Sequence, residues 1–157
     1  MTPVESRSLK SVVIDPASLA ASSREVEHER EVAIADLLER NDFHPEGAGE
    51  GPFDLTLACV ENRLALDITG PDYERRHILS LSPLRGLIKD YQLICESYYE
   101  AMREASPTQI EALDMGRRGL HNEAAEVLRE RLAGKVETDL DTARRLFTLI
   151  CALRWRG

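Results

Sequence analysis

The chain has 157 residues, of which 43% are hydrophobic and 31% charged, and its formal net charge is −8. This length and composition predict a single domain over residues 1–157 with its own core, and residues 1–22 are a candidate extended arm. The acidic total disfavours nucleic-acid binding, because phosphate contacts need clustered positive charge. The longest apolar run, residues 146–153, is shorter than the roughly 20 residues of a membrane span.

The cysteines and the N-terminal residues indicate the cellular compartment. Cys59, Cys95 and Cys151 are far apart and odd in number, which argues against a disulfide framework or a CxxC metal site. The N-terminus lacks the apolar stretch of a secretory signal. We therefore predict a cytoplasmic protein without membrane contact, in which each cysteine is a small buried side chain.

The first predicted elements are a strand and a helix. Residues 9–14, LKSVVI, form a β-branched run that an Asp-Pro pair closes, which is typical of a strand. Residues 24–40 repeat apolar side chains at helical spacing, and this pattern puts Glu29 largely on the polar side of the helix. Residues 43–53 contain two prolines and three glycines and predict a loop.

Period-two alternation comes next. The stretches FDLTLACV (53–60) and RLALDIT (63–69) each place apolar side chains on one face and predict a β-hairpin. Residues 77–82, HILSLS, predict a third antiparallel strand. Together they form a meander with one apolar face, which needs helices to cover it.

The remaining chain has the spacing and start signals of helices. We predict helices over residues 83–104, 107–118, 120–133 and 139–154, and the second begins with a capping box at Ser106. The predicted fold class is therefore α+β. It comprises an N-terminal strand and helix, a three-stranded antiparallel meander covered by helices, and a four-helix C-terminal half.

One acidic stretch of the first helix is a weak candidate metal site. Glu27 and Glu31 lie one turn apart with His28 beside them, and carboxylates with an imidazole bind divalent metals. Such sites usually draw ligands from several helices, and no partner ExxH sequence occurs elsewhere. A solvated acidic face is the favoured interpretation, so we predict no metal and no cofactor.

The sequence lacks common catalytic and nucleotide-binding motifs. The sequence contains no GxSxG elbow, no SxxK pair, and neither of the glycine-rich nucleotide-binding loops. No cysteine has a flanking base that would activate it. The sequence therefore favours a protein that is not an enzyme, while leaving that question open.

The stretch DMGRRGLHNE, residues 114–123, is the strongest candidate binding site. Between two predicted helices, Gly119 would form a corner, and the free N–H groups of the second helix would attract an anion. The predicted ligand-binding side chains are Arg117, Arg118, His121 and Asn122, and the supporting residues are Asp114, Gly119 and Glu123. The alternative is a plain helix corner held by ion pairs from Asp114 to the arginines.

The stretches that match a known family are EVEHEREVAIADLLE (25–39), GPFDLTL (51–57), HILSLSPLRGLIKDY (77–91), SYYEAM (97–102), IEALDMGRRGLHNEA (110–124), LRERLAGKVETDLDTARRLFTLICAL (128–153) and the following Arg154-Trp155. They resemble a bacterial family known as uncharacterised protein family 0262, found in alphaproteobacteria. The resemblance covers most of the chain and implies a small bacterial protein, which we expect to be cytoplasmic. It implies no activity, cofactor or catalytic residue.

Three functions remain open on the sequence. The leading hypothesis is a non-catalytic protein-interaction or regulatory module that acts through a protein partner or self-association. Its basis is the missing catalytic set and the apolar surface of helices 83–104 and 139–154. The alternatives are an enzyme or sensor that binds a small phosphate or carboxylate ligand at residues 114–123, and nucleic-acid binding by the C-terminal helices.

Overall fold

The structure, a computed structural model, describes residues 6–19, 24–104 and 106–153. The Arg154-Trp155-Arg156 segment and residues 1–5 and 20–22 of the candidate arm lie outside these residues. The elements are β1 (Leu9–Ile14), α1 (Arg24–Glu39), β2 (Phe43–Pro45), β3 (Phe53–Val60), β4 (Arg63–Gly70), β5 (Tyr73–Ser80), α2 (Arg85–Glu104), α3 (Pro107–Leu132), β6 (Val136–Thr138) and α4 (Leu140–Cys151).

Four strands form one mixed sheet in the order β1-β3-β4-β5. The meander of β3, β4 and β5 is antiparallel, as the period-two pattern predicts. Strand β1 adds to it in parallel with β3, with Val12 opposite Leu55. The intervening helix α1 makes this parallel pairing possible, because parallel neighbours need a long crossover connection.

One face of this sheet lies against the helices and builds the core. The inward side chains of β3 and β4 are almost fully buried, and Phe53, Leu55, Leu57, Leu64, Leu66 and Ile68 are each at most 1% exposed. Helix α4 contributes Leu146, Phe147, Leu149 and Ile150 to the same core. The α+β class is therefore confirmed.

The C-terminal half contains three helices rather than four, because residues 107–132 are one helix. The prediction of a corner at Gly119 is wrong, and no helix begins at residue 120. A glycine inside a helix costs about 1 kcal/mol relative to alanine. The burial of Ala124, Ala125 and Leu128 against the core outweighs that cost and keeps the helix continuous. Its capping box of Ser106 and Gln109 is confirmed.

The stretch of residues 43–53 is not entirely loop. Phe43 to Pro45 form β2, which pairs with β6 in a separate two-stranded sheet. Phe43 is completely buried, so its side chain anchors this small sheet in the core. The prolines and glycines at 45–52 still make the turn that returns the chain to β3.

The apolar surface of the last helix is used within the chain. Helix α4 packs against α1 and α3, which bury Ala143, Leu146 and Phe147. The surplus apolar face predicted for residues 139–154 is therefore covered between 140 and 151. Helix α2 still exposes Leu93 and Met102, each by more than half.

Candidate ligand-binding cleft

A polar cleft of about 240 Å³ lies between α1, α3 and α4. Each of two helices contributes one wall, with side chains at positions i, i+3, i+4 and i+7, which share one helix face. The α1 wall consists of Glu29, Val32, Ala33 and Asp36; the α4 wall consists of Asp141, Arg144, Arg145 and Thr148; and His121 of α3 also lines the cleft. One wall is thus acidic and apolar, and the other carries both arginines.

The two arginines of the α4 wall have few partners of their own. Arg144 reaches Asp141 at 3.6 Å through Nη1, and the side chain of Asp141 is 70% exposed. The Nε atom of Arg144 is buried and has no hydrogen-bond acceptor. Arg145 makes no ion pair with any residue in the described ranges. A buried donor without an acceptor costs about 1–3 kcal/mol.

His121 connects α3 to α4 beside the cleft. Its Nε2 lies 2.8 Å from the carbonyl oxygen of Arg144 and 3.0 Å from Oγ1 of Thr148. A carbonyl oxygen only accepts, so Nε2 carries the proton and donates it. Burial, and then the charge of Arg144, lower the pKa of His121. The neutral ring therefore has its lone pair on Nδ1 at pH 7.

The helical pattern of α1 predicts Glu29 on the polar side of the helix, but the structure places its side chain partly inside the protein. It is half-buried, and the hydroxyl of Tyr91 donates to its Oε1 at 3.0 Å while the hydroxyl of Tyr99 donates to its Oε2. Burial raises the pKa of both tyrosines, and the Glu29 carboxylate raises it further. Both phenols therefore stay protonated and serve as donors. The placement of Glu29 on the polar side of α1 was wrong.

The predicted arginine pair does not reach the cleft. Asp114 binds both arginines, Arg117 at 2.9 Å and Arg118 at 3.0 Å, which confirms the predicted local ion pairs. The Arg117 guanidinium also lies over the ring of Tyr98, 4.2 Å from its centroid. Arg118 is 71% exposed on its side chain. Within the stretch 114–123, the residue that lines the cleft is His121.

The other candidates at 114–123 lie on the outer side of α3. Asn122, Glu123 and Gly119 are exposed, and none of them lines the cleft. Gly116, by contrast, faces α2, where an added Cβ would lie 2.8 Å from Cδ1 of Ile94. Two glycines of the stretch thus have different surroundings, and the close approach of α3 to α2 depends on Gly116.

The candidate metal ligands lie on the exposed side of α1. Glu27, His28 and Glu31 all point to solvent. In the part of the chain that the structure describes, no group of three or more His, Cys, Asp or Glu side chains is arranged to hold a metal ion.

The thiols are protonated groups rather than nucleophiles. Burial raises the pKa of Cys95 to about 11, and it raises the pKa of Cys59 and Cys151 as well. Cys95 is buried as predicted, whereas Cys59 and Cys151 are partly exposed. A thiol with a raised pKa is a weak nucleophile at neutral pH.

The fold and the cleft together define a small α+β protein with a cleft between three helices. The family model described as "Uncharacterised protein family (UPF0262)" matches residues 6–156, and the chain belongs to this family. No solved structure matches it significantly.

Relatives of the chain occur in several bacteria. The chain is 71% identical to a UPF0262 protein of Phenylobacterium zucineum over 149 residues, covering 95% of this chain and 94% of the relative. A UPF0262 protein of Caulobacter vibrioides is 68% identical over the same shares of the two chains. One from Brucella canis is 57% identical over 143 residues, 89% of each chain. Among the helices of the described residues, none has the length and apolarity to cross a bilayer.

Proposed function

We propose that this protein is a non-catalytic, cytoplasmic regulatory module that binds a small acidic ligand in the cleft between α1 and α4. The observation that carries the proposal is the pair of adjacent guanidinium groups on α4. Arg144 has a buried Nε–H without an acceptor, and Arg145 has no ion pair among the described residues. Guanidinium forks bind carboxylate and phosphate through paired charge-assisted hydrogen bonds.

The surroundings of the arginines favour a fixed binding site over a surface ion pair. The Arg144 carbonyl is held by His121, and the hydroxyl of Thr148 donates to it at 3.3 Å, so the backbone of α4 is anchored at this point. The cleft volume of about 240 Å³ suits a small ligand. The neutral imidazole and the protonated thiols supply no activated nucleophile, which supports binding rather than covalent chemistry.

Anion titrations followed by amide NMR spectra test this proposal. Acetate, succinate and inorganic phosphate are the probes, and we expect at least one of them to shift resonances of α4 around residues 141–148. Arg145→Gln should weaken that binding roughly tenfold or more, since a charge-assisted hydrogen bond is lost. Arg118→Gln is the matched control and should bind like the unaltered protein. If no probe perturbs the cleft, or if Arg118→Gln weakens binding as much, the proposal fails.

A second candidate function is self-association through the outer face of the sheet. This outer face exposes Val13, Val60 and Ile78 by 44–59%, whereas Ala58 and Ala65 on the same face are buried. Its charged residues are balanced: Asp54, Asp67 and Glu74 are acidic, and Lys10, Arg63 and Arg76 are basic. On a chain of net charge −8, such a neutral face allows two copies to approach without repulsion.

Light scattering over a range of concentrations tests this second function. We expect a dimer that Ile78→Lys converts to monomer, since a charge in the apolar part of the face opposes close packing. Leu93→Lys, which changes an exposed leucine on α2, is the control and should leave the dimer intact. A strict monomer at all concentrations would exclude self-association.

A further inference from the structure

We infer that the ligand of the cleft is a zwitterion, in which an ammonium and a carboxylate group are separated by a short apolar spacer. The inference rests on the proposed function, because it takes the arginine wall as the site of the carboxylate. It adds a second contact, between the ammonium group and the acidic wall of α1.

The acidic wall presents one carboxylate, that of Asp36, without a hydrogen-bond donor among the described residues. Glu29, by contrast, accepts hydrogen bonds from Tyr91 and Tyr99, one on each oxygen. Asp36 lies two turns further along the same face of α1, is exposed, and makes no ion pair with any residue of the described ranges. Asp36 therefore lines the same cleft as Arg145 as an unpaired charge of the other sign.

The two unpaired charges do not satisfy each other. Asp36 and Arg145 both line the cleft, yet they form no salt bridge. A simple anion would pair with the arginines and leave the Asp36 carboxylate uncompensated beside it. A ligand with both charges pairs each group with its opposite, and like charges then stay apart.

The middle of the α1 wall matches the spacer. Val32 and Ala33 lie between Glu29 and Asp36 on the same face of the helix, and Val32 is 43% exposed. Methylene groups that cover this surface gain about 25 cal/mol for each Å² of apolar area removed from water. The cleft thus presents an unpaired carboxylate, an apolar surface and two guanidinium groups, which are the groups that an amino acid or a short ω-amino carboxylate would contact.

Matched pairs of ligands separate this inference from the proposed function. The zwitterions glycine, β-alanine, 4-aminobutyrate and 5-aminovalerate are compared by amide NMR titration with acetate, propionate, butyrate and valerate, which lack the ammonium group. We expect at least one zwitterion to bind roughly tenfold tighter than its partner carboxylate. Asp36→Asn should remove that advantage and leave carboxylate binding unchanged, whereas the exposed control Asp90→Asn should keep it.

Two results would overturn the inference in different ways. If the carboxylates bind in an Arg145-dependent manner as tightly as the zwitterions, or if Asp36→Asn has no effect, the zwitterion is excluded and the acidic-ligand function stands. If neither series perturbs the cleft resonances, both are excluded. The amide spectra of the variants report at the same time whether each one is folded.

Discussion

The imidazole of His121 stacks on the phenol ring of Tyr91, with the ring centroids 5.2 Å apart and the planes inclined by 22°. The same phenol donates to Glu29, and the same imidazole donates to the carbonyl of Arg144. This contact therefore joins all four long helices, because Tyr91 belongs to α2, His121 to α3, Glu29 to α1 and Arg144 to α4. A polar network in the interior contacts both walls of the cleft.

Removing the tyrosine hydroxyls should lower stability. We expect Tyr91→Phe and Tyr99→Phe each to reduce the free energy of unfolding by about 1–2 kcal/mol, since each deletes a hydrogen bond to a charged, half-buried carboxylate. The double variant should lose more than either single variant, because Glu29 then has neither tyrosine donor. Urea denaturation measures all three changes.

Tyr98→Phe is the control for these substitutions. Tyr98 contributes its ring to Arg117, and phenylalanine keeps that ring. We expect a change below about 0.5 kcal/mol, as for an ordinary surface substitution. Equal losses in Tyr98→Phe and Tyr99→Phe would contradict the assigned role of Glu29.

Stability should fall as the pH drops below the ordinary histidine pKa of about 6.5. Burial lowers the pKa of both His77 and His121 in the folded state, so the unfolded chain binds protons first. The free energy of unfolding is therefore highest above about pH 6.5. It decreases as the pH falls from about 6.5 to the lower pKa values that these histidines have in the folded protein. Denaturation midpoints between about pH 5 and 8 measure this dependence.

The double variant His77→Gln, His121→Gln checks the source of that dependence. Glutamine keeps an N–H donor for the Arg144 carbonyl but does not titrate. The slope of stability against pH should therefore shrink in this window. A slope as steep as in the unaltered protein would assign the effect to other groups.

Gly119→Ala should stabilise the protein by about 0.5–1 kcal/mol, because alanine is the better residue inside a helix. An added Cβ at this position meets no atom within 4 Å. Gly116→Ala is the matched comparison. Its new Cβ would lie 2.8 Å from Cδ1 of Ile94, and this close contact should offset the gain in helix stability. Thermal and urea unfolding measure both. A marked loss at Gly119→Ala would favour a break in the helix there.

Gly70→Ala should destabilise the protein by about 1–3 kcal/mol, the usual cost of overpacking a core. The new Cβ would lie 2.6 Å from Cδ1 of Phe53, whose ring is fully buried and bordered on its other edge by Gly51. Gly49→Ala is the control, since its Cβ meets nothing within 4 Å. We expect urea denaturation to show a lower stability for Gly70→Ala than for Gly49→Ala. Equal stability of the two variants would show that the Phe53 ring can move to make room.

Much of the fold was predictable because it depends on short-range signals. The alternation in residues 53–69 requires one buried face and therefore predicts the hairpin, and Ser106 with Gln109 predicts the start of α3. The ion pairs of Asp114 follow from spacing alone. In each case the residues that decide the structure lie close together in the sequence.

Of the predicted site residues, His121 is the one that lines the cleft. The set Arg117, Arg118 and Asn122 was chosen for a helix N-terminus that does not exist, because packing of α3 against the core outweighs the propensity of Gly119. The four-residue spacing of Asp141 and Arg145 predicts an ion pair within the last helix, but Asp141 pairs with Arg144 instead. The wall that faces these residues is not visible in the sequence. The sequence does not indicate that β2 pairs with β6 either, since each contributes three residues.

The sequence by itself thus determined the α+β class, the meander, helices α1, α2 and α4, and the ion pairs of Asp114, all of which arise from periodicity, caps and spacing. Only the tertiary structure decided that Glu29 turns inward to two tyrosines and that the polar faces of α1 and α4 lie opposite each other. The physical reason is that the spacing of a charged residue along a helix does not show whether its side chain lies in solvent or in a cleft between helices. Which of these occurs depends on the neighbouring helix, and that neighbour is fixed by the packing of the whole core.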